Sequence, residues 1–196
     1  MSIRDLALTL TASILIGAFL IPTLINTKKF DAIPNSYAVL FIGLPALALI
    51  GMFVIKQLSK KLALLWQVAK FALVGVLNTA IDFGILNLLI LITGFTAGAG
   101  IGIINIPSFT LAILNSYIWN RKWVFENAKQ GNFFVFVAVT VIGLLINTTV
   151  VVVVTTWIPP LFGLSPTLWA NVAKVFATGF SMVWNFTGYK LVVFKR

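Results

Sequence analysis

Six apolar runs, each long enough to cross the hydrocarbon core of a bilayer, account for most of this 196-residue chain. A crossing helix needs about 20 predominantly apolar residues. The chain is 60% hydrophobic and 9% charged, whereas a soluble domain has about 25% charged residues. These features predict an all-α integral membrane protein with six transmembrane helices. The predicted spans are approximately 6–26, 37–56, 68–93, 101–120, 133–157 and 168–190.

The distribution of basic residues predicts the orientation of the chain. Most of them lie in loops on one side of the predicted membrane, and by the positive-inside rule that side is cytoplasmic. An even number of spans then puts both termini in the cytoplasm, as expected for a multi-pass protein of the cytoplasmic membrane. The formal net charge of +10 is explained by this orientation, and we expect no nucleic-acid binding. The residues on the basic side are Arg4, Lys56, Lys60, Lys61, Lys70, Arg121, Lys122, Lys129, Lys190, Lys195 and Arg196.

The composition excludes several classes of chemistry. The chain has no His, no Cys and only four acidic residues, which are Asp5, Asp31, Asp82 and Glu126. Thiol chemistry, disulfides and Ser-His-Asp catalysis are therefore excluded, and zinc sites nearly so. No Gly-rich phosphate loop of a known nucleotide-binding type occurs. We expect no enzymatic activity, no metal and no cofactor.

Two ionisable residues lie deep in apolar runs, Asp82 in the third and Lys174 in the sixth. A carboxylate in hydrocarbon costs roughly 2.5–3.5 kcal/mol on the insertion scale, so it usually faces a partner or a cavity. Counted from the span ends, both residues lie at similar depth, which predicts a salt bridge between them with Asn147 nearby. The alternative is that the pair and the neighbouring amides only hold helices together.

Polar or small residues occupy one face in each of the last four spans. In chain order the four faces are Gly75, Asn78 and Asp82; Asn105, Ser108, Ala112 and Asn115; Thr140, Gly143 and Asn147; and Lys174, Thr178, Ser181, Asn185 and Gly188.

A weak internal repeat relates the third and fourth spans to the fifth and sixth. A shift of 69 residues puts Asn78 on Asn147 and the Val-Phe pair at 124–125 on the Val-Phe pair at 193–194. The repeat predicts a four-helix unit made of two related hairpins, as in transporters built by parallel duplication.

Three segments of the sequence resemble segments of the GtrA-like family of small membrane proteins, and their order and spacing also fit that family. They are KFALVGVLNTAIDFGILNLL at 70–89, LNSYIWNRKWVFEN at 114–127 and AKVFATGFSMVWNFTGYKLVVFK at 173–195. The second segment matches the family pattern N-Y-x-x-N-R-x-W-V-F, with Ser116 between the first Asn and the Tyr.

The resemblance covers about 68–196 and implies a four-helix transmembrane domain there. We expect two additional transmembrane helices in 1–56 and an amphipathic linker, lying along the membrane surface, in 57–67.

The resemblance also implies a function. Family members are associated with cell-surface polysaccharide and teichoic-acid glycosylation, in which they move polyprenyl-phosphate-linked sugars across the cytoplasmic membrane. The implied partners are the sugar lipid, the bilayer and a membrane glycosyltransferase, and we expect a homo-oligomer because a four-helix core is small for a headgroup-sized cavity. Two alternatives remain open. The chain could be a non-transporting scaffold or accessory subunit for the glycosyltransferase, or a small cation or drug exporter.

Such a carrier needs basic groups for phosphate and amides for sugar hydroxyls. Arginine binds phosphate through its bidentate fork, and asparagine supplies both donors and acceptors. The basic cluster, which includes Lys70, could instead serve topology alone, and the two Trp residues could be membrane anchors rather than sugar-stacking rings. The predicted substrate-binding residues are Asp82, Lys174, Asn78, Asn115, Asn147, Asn185, Arg121, Lys122, Lys190, Trp119 and Trp123.

Overall fold

Six long helices follow one another in the described part of the chain, in the predicted order. This computed structural model describes residues 1–60, 62–94, 98–126, 128, 131–163 and 166–194, and in these ranges it contains no strand. The membrane-protein class is confirmed. The helices are α1 (Ile3–Asn26), α2 (Ser36–Leu58), α3 (Ala63–Thr93), α4 (Gly98–Trp119), α5 (Phe133–Trp157) and α6 (Pro166–Gly188).

Among the described residues, three helices are long and apolar enough to cross a membrane. They are Ile3–Asn26, Ser36–Leu58 and Leu64–Thr93, and a shorter apolar stretch, Phe133–Ile146, begins α5. Six crossings and cytoplasmic termini remain predictions.

The junction between α2 and α3 lies in the segment 57–67, for which the sequence predicts an amphipathic linker. The second helix ends at Leu58 and the third begins at Ala63, so this segment supplies the end of one helix and the start of the next. The ammonium of Lys56 lies 4.8 Å from the ring centroid of Trp66, which is buried. A cation over an indole ring is attractive, and here it joins the facing ends of the two helices. The position of this segment along the membrane surface stays a prediction.

The chain divides into two compact units, Met1–Val124 and Phe125–Arg196. In the first unit, α1, α3 and α4 share one apolar core. Its buried members are mostly small or branched, which allows close helix packing: Ala12, Ile16, Leu77, Ala80, Ile81 and Ala112. The first helix therefore packs directly against the segment that resembles the family. The proposed division into an N-terminal pair, a linker and a four-helix domain remains a prediction.

Glycine allows α1 to approach α3 closely. A Cβ atom added to Gly84 would overlap the carbonyl oxygen of Phe19 and lie 2.9 Å from its carbonyl carbon. Real Cβ atoms essentially never come so near to backbone, so only glycine fits at this crossing. Glycine also allows a close approach between α1 and α2, where a Cβ on Gly17 would lie 2.6 Å from the Leu40 carbonyl oxygen.

The second unit is a hairpin of α5 and α6 closed by aromatic rings. Phe136 stacks on Tyr189 with ring centroids 4.3 Å apart, and Phe125 stacks on Phe194 at 5.1 Å. The Tyr189 hydroxyl lies 2.6 Å from the Thr140 hydroxyl. Aromatic pairs in this distance range contribute about 0.5–1.5 kcal/mol beyond their buried area.

The two hairpins follow the 69-residue repeat in their helix boundaries. The fourth helix ends at Trp119 and continues as a π-helical turn, Asn120–Val124. The sixth ends at Gly188 and continues as a π-helical turn, Tyr189–Val193, which is the position that the shift predicts. The repeat is thus a repeat of local structure as well as of sequence.

Candidate functional site

The π-helical turn Asn120–Val124, which we call the basic turn, carries two of the predicted phosphate-binding residues. Arg121 and Lys122 are exposed, whereas Asn120, Trp123 and Val124 are buried. A π-helical turn widens the helix and is frequent at functional sites. The wider turn lets two cationic side chains project while the residues on either side of them remain packed.

Three consecutive carbonyls of the basic turn accept hydrogen bonds from side chains. The Lys122 oxygen accepts from the Arg4 guanidinium, the Trp123 oxygen from Lys70 Nζ at 2.7 Å, and the Val124 oxygen from Gln67 Nε2 at 3.0 Å. The last carbonyls of a helix have no partner within it, and cations are favoured at this end by the helix dipole. Side chains from α1 and α3 therefore cap the end of α4.

Lys70 serves this cap and does not project with the basic cluster. Its side chain is 4% exposed, and its ammonium donates to a backbone carbonyl. Of the predicted phosphate-binding residues in this unit, Arg121 and Lys122 are therefore the exposed ones.

Trp123 is buried by contacts from the N-terminal helix. It is 1% exposed, and its indole nitrogen donates to Asp5 Oδ1 at 2.9 Å. The other carboxylate oxygen of Asp5 accepts from Ser2, closing the capping box that begins α1. Trp119 packs edge-on against Trp123 at 5.8 Å between centroids and is half-buried. Of the two predicted sugar-stacking rings, only Trp119 has accessible surface for a ligand in this conformation.

The interior of the first unit brings two predicted amides together. Asn115 Nδ2 donates to Asn78 Oδ1 at 2.7 Å, which joins α4 to α3. One helical turn after Asn78, Asp82 is half-buried, and its Oδ1 has no hydrogen-bond partner in the part of the chain that the structure describes. A buried carboxylate oxygen without a partner can accept a hydrogen bond from an incoming hydroxyl.

The second unit contains two further predicted residues. Asn185 Oδ1 is buried and has no partner among the described residues, and a Cβ on Gly143 would lie 2.8 Å from Asn185 Cγ. Lys190 is half-buried, with its ammonium 5.8 Å from the ring centroid of Phe186. The side chains of Asn147 and Lys174 lie outside the described residues, so the salt bridge to Asp82 stays a prediction.

Several polar residues of the site are absent from the sequence-based prediction. Asn26 Nδ2 donates to Asn87 Oδ1 at 2.7 Å, which joins α1 to α3. Within α3, Asn87 Nδ2 donates to the Phe83 carbonyl at 2.9 Å. The spacing of Asn87 from Ala80 and Gly84 gives the signal, because all three share one helical face of small or polar residues. For Asp5, the signal is the Ser2-x-x-Asp5 capping box.

Comparisons with known proteins agree with the sequence resemblance. A family model described as GtrA/DPMS, transmembrane domain, matches residues 70–194. The uncharacterized membrane protein YngA of Bacillus subtilis (strain 168) is 45% identical over 56 residues, which are 29% of this chain and 34% of that protein. The match therefore spans about a third of that relative. No solved structure matches the chain significantly. Because the family model covers more than half of its length, this chain is a membrane protein that belongs to the GtrA/DPMS transmembrane-domain family.

Proposed function

We propose that this protein translocates a polyprenyl-phosphate-linked sugar across the cytoplasmic membrane for glycosylation of a cell-surface polymer. Membership in a glycosylation-related membrane family supports the proposal. The observation that carries it is the basic turn. Its backbone is fixed by three side-chain caps, while Arg121 and Lys122 project into solvent beside the end of a helix. The half-buried Trp119 ends the same helix and offers a ring for the sugar.

The chemistry of the turn suits a phosphate that arrives with a lipid tail. A guanidinium binds phosphate oxygens through two parallel hydrogen bonds, and the neighbouring ammonium adds a point charge. Both groups are exposed, so binding costs little desolvation of the protein. We propose that the basic turn faces the cytoplasm and receives the lipid phosphate there.

The interior amides give the sugar hydroxyls a set of partners along the path. The Asn78–Asn115 pair uses one donor and one acceptor, so each amide keeps further hydrogen-bonding capacity. Replacing that bond by bonds to hydroxyls changes the net free energy by only about 1 kcal/mol. Asp82 Oδ1, which lacks a partner among the described residues, is an additional acceptor.

The membrane potential favours outward movement of the anionic headgroup. In an inside-negative membrane this movement gains about 2.3 kcal/mol per charge per 100 mV. We therefore propose facilitated transport that needs no nucleotide hydrolysis. Proton coupling through Asp82 is a less favoured variant of the same proposal.

Reconstitution tests the proposal directly. Purified protein in liposomes is expected to expose a labelled polyprenyl-phosphate sugar to an outside probe faster than empty liposomes do. Asp82→Asn and Arg121→Gln are expected to slow exposure, while Asp31→Asn, which removes an exposed carboxylate outside the site, serves as the matched control. Rates in the two site variants equal to those of Asp31→Asn would remove both residues from the path. A purified protein no faster than empty liposomes would refute translocation by this chain alone.

A second candidate is a non-transporting scaffold for a polyprenyl-phosphate glycosyltransferase. The observation favouring it is that the Asn78 and Asn115 side chains bond to each other across two helices, as amides that only join helices would do. Co-purification of a glycosyltransferase that survives Asn78→Leu and Asp82→Asn, with no transport by the pure protein, would favour the scaffold. Measuring the movement of a cationic dye across the membrane of the same liposomes tests the exporter alternative.

A further inference from the structure

The basic turn is held by residues that lie outside the family match. Arg4 and Asp5 belong to α1, and Gln67 precedes the matched residues 70–194. Arg4 donates to the Lys122 carbonyl, Asp5 accepts from the Trp123 indole, and Gln67 donates to the Val124 carbonyl. Of the side chains bonded to the turn from other helices in the described contacts, only Lys70 lies inside the matched range.

The second hairpin ends in the same π-helical form but is held differently. A shift of 69 residues carries Gln67 onto Phe136 and Lys70 onto Val139, so no polar cap is available at those positions. There the turn Tyr189–Val193 is closed by the stacking of Phe136 on Tyr189. The first turn thus has side-chain caps on its carbonyls, whereas the described contacts of the second combine ring stacking with the Thr140–Tyr189 hydroxyl contact.

We infer that the N-terminal helix positions the basic turn for its ligand, with Asp5 and Arg4 as positioning residues for Arg121 and Lys122. Arg4 bonds the carbonyl of Lys122 itself, and Asp5 holds the indole of the very next residue. The Arg4 contact is made to the backbone that carries the two cationic side chains, and the Asp5 contact holds the side chain of the residue that follows them. The ligand is a phosphate monoester or diester on a lipid, so the inference rests on the proposed function.

The geometry makes Asp5 the stronger of the two positioning residues. Both of its carboxylate oxygens are bonded, one to the indole and one to Ser2, so the carboxylate has a fixed orientation. Trp123 is 1% exposed, so its indole nitrogen is shielded from solvent. Loss of the Asp5 carboxylate would leave that donor buried and unpaired, and the turn would be free to shift.

The test compares Asp5→Ala with Asp5→Asn and with the control Asp31→Ala, which removes an exposed carboxylate elsewhere. The probe is a fluorescently labelled polyprenyl phosphate titrated into liposomes containing the full chain. Asp5→Ala is expected to raise the half-saturating concentration about tenfold, the size of a lost hydrogen bond to a charged group, with little change in the maximal rate. Asp5→Asn retains an oxygen for the indole and is expected to recover most of the affinity.

A second readout separates this inference from the proposed function. Amide hydrogen exchange of the purified protein is expected to quicken about tenfold or more in peptides covering Asn120–Val124 in Asp5→Ala, and to stay unchanged in Asp31→Ala. Faster exchange without any probe binding in the parent protein would refute the proposed ligand but keep the positioning role. Unchanged exchange and an unchanged half-saturating concentration in folded Asp5→Ala would overturn the inference. A loss of affinity in Asp5→Ala that Asp5→Asn does not recover, accompanied by a lower maximal rate, would also overturn the inference.

Discussion

Replacing Gly84 by alanine should separate α1 from α3, and Gly75 in the same helix provides the control. A Cβ at Gly84 would overlap the Phe19 carbonyl oxygen, whereas a Cβ at Gly75 meets nothing within 4 Å. Both substitutions gain the same helix propensity, about 0.8–1.0 kcal/mol, so their difference isolates the cost of the overlap. That cost is about 1–3 kcal/mol for one extra methyl group against a packed backbone.

Thermal unfolding of the two purified variants in one detergent measures this difference. A change of 1 kcal/mol shifts the Tm of a chain of this length by about 2–4 °C, so Gly84→Ala should melt about 2–12 °C below Gly75→Ala. The Asn26–Asn87 bond links the same two helices and should weaken with the displacement. Equal Tm values for the two variants would show that α1 does not rest on Gly84, and the reasoning would fail.

Three further predictions concern single polar contacts. Asn26→Ala should lower the free energy of unfolding by about 0.6–1.7 kcal/mol, because it leaves Asn87 Oδ1 without its donor. Replacing both amides by leucine should recover most of this loss, and chemical denaturation in mixed micelles checks both variants. Lys70→Met should cost about 1–3 kcal/mol in the same assay because a buried carbonyl loses its charged donor, while Lys60→Met at an exposed position should be nearly neutral. Lys174→Ala should slow lipid exposure in the liposome assay if it neutralises the membrane carboxylate, and an unchanged rate would end that assignment.

The sequence predicts the helices well because each apolar run is long enough to require one. Length and hydrophobicity identify α1, α2 and α3 as helices that can cross a membrane, and the two π-helical turns observed in the structure are 69 residues apart, as the repeat is. The helix ends at Leu58 and Ala63 within 57–67 were harder to predict, since one helix end followed by another has the same amphipathic pattern as a surface helix. The local hydrophobic pattern therefore predicts that a segment is helical more reliably than it predicts where the helix begins and ends.

Long-range contacts explain why the site was only partly predictable. Trp123 has the sequence context of a membrane-interface anchor, but its indole bonds to Asp5, which lies 118 positions earlier in the chain. No periodicity links two such distant residues. The Asn78–Asn115 contact could be expected from the sequence, because each amide belongs to a polar helical face and such faces avoid lipid. Asn87 was missed although it shares a helical face with Ala80 and Gly84, because it is the single amide on that face.

The capping of the basic turn has a practical consequence for where the chain is cut when it is expressed. Trimming the protein to the range of its family similarity would delete Arg4, Asp5 and Gln67 together, and would keep Lys70 as its terminal residue. The shortened product would still contain every residue of the N-R-x-W-V-F signature, yet an indole and two carbonyls would lose their partners. Boundaries for expression should therefore follow hydrogen bonds, not the extent of sequence similarity.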